Sequence, residues 1–381
     1  MTEWVRSRPV VSLFAVLLLV AGCSSGDGQS EKAVQKTAVQ KTTARPEPDA
    51  EAHGSPEELG EVEFLVSCAP EAQAEFKRGA ALLHSFWFAP AIESFNKVVD
   101  LDGTCAMGHW GVAMSLLGNP FAWPLTGPAL ADGRTAVERA IAVGTGSPRE
   151  RSYIDAIGSF YRDADKVDHA TRALAYAQAM EQLVEEFPED TEAKIFYALA
   201  LDATASPSDK TYANQEKAAG ILEQVAVKQP DHPGVTHYLI HTYDYPASAG
   251  KGQHAARRYA GIAPSVPHAL HMPSHIFTRL GDWDESIQSN LASSKLAKDE
   301  LTAEHHQGGG SYNALHALDY LMYAHLQLSQ DRAAAAVLEE INTIQKLDVE
   351  NFPAAYAFAA IPARYVLERG EWARAAGLTL H

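Results

Sequence analysis

The chain is expected to be all-α, a solenoid of helical hairpins stacked one on the next, and three observations predict this. Small residues recur where the two helices of a hairpin must cross, as at Gly79-Ala80 and again at Ala91, four residues before Phe95. Turn signals recur where a hairpin must close, at Asp100-Leu101-Asp102-Gly103, Phe187-Pro188 and Gln229-Pro230. Two histidine-bearing stretches repeat at an offset of 34 residues (271 − 237), which is the length of one helix–turn–helix unit.

These features resemble the tetratricopeptide (TPR) repeat, which has small residues at the helix crossing, an Ala-x3-Phe-like pair in the second helix and a closing proline. Ala198 fits the crossing between Phe187-Pro188 and Gln229-Pro230. Leu280-Gly281-Asp282-Trp283 followed by Ser286 and Asn290, and Glu368-Arg369-Gly370-Glu371-Trp372 followed by Ala375, repeat the turn between helices. The resemblance covers most of residues 70–381 and implies a TPR-like right-handed superhelix with inserted loops. The insertions are expected at Asn119-Pro120 to Asp132, Ser206 to Lys210, Pro246 to Gly252, and Leu291 to Tyr312 with its Gly308-Gly309-Gly310. The last hairpin, ending at His381, has a short second helix without a polar cap, so the chain is expected either to be a fragment or to end against a partner.

The N-terminal region is expected to be an address and a tether rather than part of the fold. Two arginines in Met1 to Arg8 precede an apolar run, Pro9 to Val20, too short to span a bilayer, which reads as a signal peptide over residues 1–22. The run ends in Val20-Ala21-Gly22-Cys23, which resembles the bacterial lipobox and implies acylation of Cys23 and an exported, lipid-anchored protein. Ser24 after the cysteine, by the same analogy, favours the outer membrane, facing the periplasm or the surface. Residues 23–63 are rich in Ser, Gly, Lys, Glu, Pro and Gln, carry the tandem AVQKT-AVQKT, and should form a solvated tether to a solenoid over 64–381. With Cys23 acylated, Cys68 and Cys105 remain, either as a disulfide permitted by an oxidising compartment or as two free buried thiols.

Acidic side chains number 48 against 31 basic ones, for a formal net charge of −17. That excludes a nucleic-acid face, which needs basic residues, and leaves the acyl chains as the membrane contact. There is no Walker loop, no H-E-x-x-H and no C-x-x-C. Gly144-Thr145-Gly146 lacks the lysine of a phosphate cradle.

The chemistry-bearing feature is a set of histidines. Pro230 to His241 aligns with Pro264 to His275, so His237 matches His271 and His241 matches His275. Each pair is spaced i, i+4, which places both imidazoles on one helix face. In TPR-like numbering they occupy the fifth and ninth positions of the first, or A, helix of the hairpin, which in related structures line the concave groove. The next unit places Asp319 at the fifth position and His316 at the second, where His268 stands in the unit before. His237, His241, His271, His275, His316, Asp319 and His268 are therefore candidate ligands for a divalent transition metal, Zn, Fe, Mn or Cu. Pro273 should kink its helix and re-aim His271. Tyr243, Asp244 and Arg279 are neighbours that could orient the rings.

Other histidines carry less. His84 and His109 are expected to line core or groove several repeats away, and His305-His306 to be an exposed loop pair or a flap. Trp87, Phe88, Trp110, Phe121 and Trp123 read as core. A closer resemblance, through Leu83-His84-Ser85-Phe86, Cys105-Ala106-Met107, Trp110-Gly111, Asn119-Pro120, His237 to His241 and His268 to Gly281, is to a family of uncharacterised exported bacterial TPR proteins. It implies fold and export, and no activity. Two readings stay open: a metal-dependent protein or enzyme, or a metal-free scaffold that holds an envelope protein or peptide in its groove.

Overall fold

The computed structural model describes residues 57–121, 125, 127–303, 310–348 and 352–379. The expected signal segment, Cys23, most of the expected tether, Trp123, His305-His306 and Gly308-Gly309 lie outside the described residues. The named elements among the described residues are all helices, arranged as a TPR-like series of hairpins. The pairs are α1 (Pro70–His84) with α2 (Phe88–Leu101), α3 (Ala106–Leu117) with α4 (Pro128–Val143), α5 (Pro148–Tyr161) with α6 (His169–Glu186), and α7 (Thr191–Ala203) with α8 (Ala213–Lys228). They continue with α9 (Pro233–Tyr243) and α10 (Ala249–Ile262), then α11 (Pro267–His271) and α12 (Pro273–Leu280) against α13 (Trp283–Ala303). Last come α14 (Tyr312–Gln327) with α15 (Asp331–Ile341) and α16 (Phe352–Glu368) with α17 (Trp372–Ala375). Among the described residues no helix is long and apolar enough to cross a membrane.

Local sequence explains the boundaries. Proline opens α1, α4, α5, α9, α11 and α12, where its missing N–H is no loss. Asp168 and Asp190 cap α6 and α7 by accepting from the backbone N–H of Thr171 and Ala193. Gly111 lets α3 approach α2 closely, since a Cβ there would meet the Phe95 ring at 2.2 Å. The segment expected as an insertion from Leu291 is instead helix up to Ala303, because α13 continues as a long second helix packed on α14. Likewise α4 begins at Pro128 and α10 at Ala249, inside the stretches expected to be loop.

The end of the expected tether is also corrected. Residues from 57 onward run extended across the hairpins, with Leu59, Val62 and Phe64 buried. Glu61 donates its N–H to the Asp231 carbonyl (3.0 Å) and Ser265 donates to that of Glu58 (3.3 Å). Phe64 is fully buried among Phe76, Trp110 and Tyr153, with ring centroids 5.2, 5.5 and 5.2 Å away. At the end of this strap Cys68 and Cys105 are joined by a disulfide, Cα to Cα 5.0 Å, and Ala69 N–H bonds to Asp102 (2.8 Å). Helix α1 thereby packs on α9 as well as on its sequence neighbours.

Candidate metal centre

The six candidate histidines form two trios built by one rule. His237, His241 and His268 offer ring nitrogens all within 4.8 Å of one another, and so do His271, His275 and His316. Each trio takes the fifth and ninth positions of one A helix and the second position of the next, the offset of three being the same (271 − 268, 319 − 316). The chain does break at Met272, between α11 and α12, as Pro273 requires. His271 and His275 nevertheless hold their Nε2 atoms 3.1 Å apart, the same separation as His237 and His241.

Proton accounting tests whether these rings satisfy each other. His237 Nδ1 lies 2.7 Å from the His84 carbonyl oxygen, which can only accept, so the ring proton is on Nδ1 and Nε2 offers a lone pair. His241 Nε2 and His268 Nε2 both stand 3.1 Å from that one lone pair. A single lone pair accepts one proton, so one of the two contacts has none. In the second trio His271 Nδ1 faces Asn290 Oδ1 (2.7 Å), whose amide nitrogen is fixed by the Ser286 carbonyl (2.7 Å). His275 Nδ1 faces Asp244 Oδ2 (2.8 Å), and the other carboxylate oxygen accepts from Arg279 (2.8 Å). Two Nε2 lone pairs therefore oppose each other across 3.1 Å. An imidazolium proton or a metal ion at the shared point removes that repulsion.

Burial disfavours the imidazolium at five of the six rings. It drives His237 and His316 down to about 3, and His241, His268 and His271 well below the ordinary imidazole range, with repulsion from neighbouring rings adding to it. The spacing suits a metal: two nitrogens at about 2.0–2.1 Å from a tetrahedral Zn ion lie roughly 3.4 Å apart. The Nδ1 atoms are bound to a backbone carbonyl, an amide oxygen and a carboxylate, the outer contacts that fix the tautomer of metal-ligating histidines.

A third cluster shows the contrast. His84 and His232 donate from Nε2 to the two oxygens of Glu192, at 3.0 and 2.9 Å. Their Nδ1 atoms accept from Tyr238 OH (3.0 Å) and Val235 N–H (3.3 Å). Burial raises the Glu192 carboxyl, but the two imidazoles outweigh it and hold the group well below the usual range. Every ring nitrogen here has a complementary partner, so the cluster is a proton-satisfied clasp. It fixes His84, whose carbonyl orients His237. Gly234 makes room for it, since a Cβ there would meet His84 Nδ1 at 2.5 Å. His84, expected several repeats from the cluster, is thus directly behind it.

Asp319 is the exception among the expected ligands. Its carboxylate is held by Arg364 (2.7 Å) and belongs to neither trio. Tyr243 turns away to Glu223 (2.6 Å), whereas Asp244 does orient a ring and Arg279 supports it. Asn290 and the His84 carbonyl were not among the expected orienting groups.

The two trios adjoin, with ring centroids of His241 and His275, and of His268 and His271, each 6.1 Å apart. A polar pocket of about 540 Å³, framed by Arg279, Tyr320, Tyr356 and Arg364, opens onto His275 and His316. On the other side Phe86 packs edge-on to His237 (4.4 Å) and Phe121 stacks on His241 (4.3 Å).

No model of a known protein family matches the chain, and no curated protein matches it. Among solved structures it is similar to the Cut9–Hcn1 hetero-tetramer of the APC/C, at 13% identity and a TM-score of 0.31, over 81% of this chain. The chain spans about 65% of the length of that one. It is also similar to the TPR domain of P58(IPK), at 11% identity and a TM-score of 0.24, over 81% of this chain and 91% of that one.

Proposed function

We propose that the two histidine trios each hold one late first-row metal ion, Zn or Cu, and that the pair forms the reactive centre of a metal-dependent protein acting on a small substrate. The observation that carries this is the pair of Nε2 atoms facing each other 3.1 Å apart in the second trio, each on a ring whose Nδ1 is turned to an acceptor, repeated by the overcommitted lone pair of the first. Neither trio contains a carboxylate, which favours ions suited to imidazole over Mn. Three neutral protein ligands leave a coordination position open, and an ion so held acidifies bound water or polarises a small ligand. The chain's own residues orient the rings through Asp244, Asn290 and the His84 carbonyl.

The disulfide and the Cys23 motif together support an exported, lipid-anchored protein of an oxidising envelope compartment. A Cys23→Ser chain that still fractionates with membranes would overturn the anchor.

The deciding experiment is elemental analysis by plasma mass spectrometry on tag-free protein beside His237→Ala, His271→Ala and the double variant. About two equivalents of metal are expected in wild type, about one in each single variant and none in the double. No stoichiometric metal in wild type, even after reconstitution with Zn and Cu, would leave a scaffold that binds a protein or peptide partner.

A further inference from the structure

Phe86 is the odd residue in a repeated turn. In four hairpins a residue after the A helix takes left-handed backbone, and the next N–H reaches the carbonyl five residues back. These bonds run from Trp87 to Leu82 (3.0 Å), Asp282 to Phe277 (2.9 Å), Gln330 to His325 (2.8 Å) and Glu371 to Val366 (2.8 Å). The left-handed residue is Gly281, Ser329 or Gly370 in the later hairpins and Phe86, at φ 54°, in the first. A bulky Cβ-bearing residue opposes that conformation. Phe86 therefore sits there for what its ring touches.

One side of the ring faces the imidazoles, edge-on to His237 and stacked on His268 (5.7 Å, 22°). Phe86 also lines a cavity of about 400 Å³, where it stacks on Phe88 (5.4 Å, 25°). Leu83, Met114, Phe160 and Leu199 make that lining apolar. A largely apolar chamber of this size is the usual form of a small-molecule site.

We infer that this cavity takes a neutral, ring-sized apolar molecule, which Phe86 holds beside the first imidazole trio. That such a molecule is the substrate rests on the metal reading above; that it binds there does not. The Phe86 wall places it one ring's thickness from His237 and His268, while the polar pocket opens onto His275 and His316 of the second trio.

The probe is 4-fluorophenol, followed by its fluorine NMR line in full-length protein that is metal-free, Zn-loaded or Cu-loaded. Binding should broaden the line severalfold more in the Cu protein than in the Zn protein, because paramagnetic relaxation acts only at short range. Ala173→Trp and Ala203→Phe, which fill the cavity from two different helices, should each abolish binding without changing metal content. Binding undiminished in both variants, or binding without Cu-specific broadening, overturns the inference. Absence of metal uptake is seen before the probe is added and sinks only the metal reading. Loss of probe binding to the metal-free Ala173→Trp protein would then still uphold the cavity's occupant, and equal binding would overturn it.

Discussion

Asp244 stands behind His275 with both carboxylate oxygens engaged, one by the imidazole and one by Arg279. Burial raises this carboxyl, yet the His275 and Arg279 partners outweigh it and hold the group below its usual range. An ionised carboxylate on Nδ1 fixes the tautomer and makes Nε2 a stronger donor to a metal. Asp244→Asn keeps the shape and removes the charge, so metal affinity should fall about 10- to 100-fold. Competition with a chelator of known affinity measures this, and an unchanged constant would mean that Asp244 does not tune the ring. Asp244 is adjacent to the repeat in sequence and so was legible as a neighbour. Asn290 was legible in another way. Ser286 and Asn290 fall five and nine residues after Gly281, where Ala91 and Phe95 fall after Phe86. Both are fully buried, so polar groups occupy a packing pair's positions. A buried polar pair at apolar positions signals that something nearby needs hydrogen bonds.

Between elements, the decisive contact is the one the repeat pattern does not encode. Repeats specify neighbour-to-neighbour packing, and on that basis α1 and α9 should not meet. The strap joins them. It was read as tether because it has few apolar residues and no helical or strand period. Within it Leu59 and Val62 are buried all the same, and Phe64, just past the expected end of the tether, meets rings as far along the chain as Phe196. Phe64→Ala empties a site walled by four aromatic rings and should cost about 3–5 kcal/mol. Urea unfolding checks it; a loss below about 1 kcal/mol would show that the strap only decorates the surface. The disulfide that follows closes a loop of 37 residues and contributes about 3–4 kcal/mol on the loop-entropy account, so reduction should produce a comparable loss. Loosening either should also weaken the His84 carbonyl contact to His237, which only the docking of α1 on α9 creates.

For the molecule as a whole, the buried rings set a pH dependence whose sign distinguishes a metal-site precursor from an open groove. His237 and His316 titrate near 3 when folded, and His241, His268 and His271 also lie well below the usual range, while unfolded imidazoles titrate near about 6.5. Between those values the unfolded chain binds more protons. Stability is therefore fully present above pH ~6.5 and lost as pH falls toward ~3, each ring adding up to about 1.4 kcal/mol per pH unit. Asp202 acts in the opposite sense. Burial, with Asp244 adding to it, raises its carboxyl to about 7, so its contribution is present at low pH and lost as pH rises from about 4 through 7. One group against five leaves the rings dominant. Chelator-treated protein should lose thermal stability steeply from pH 6.5 to 4, and Asp202→Asn should raise its midpoint at pH 8 more than at pH 4. Metal competes with the same protons, so the loaded protein should hold its midpoint to lower pH than the chelated one. Steep profiles that superimpose with and without metal would mean that the buried rings hold none, whereas a flat profile of the chelated protein would mean that the rings are solvated and free to protonate, as in a scaffold groove, and the dry nitrogens on which the metal centre depends would not exist in solution.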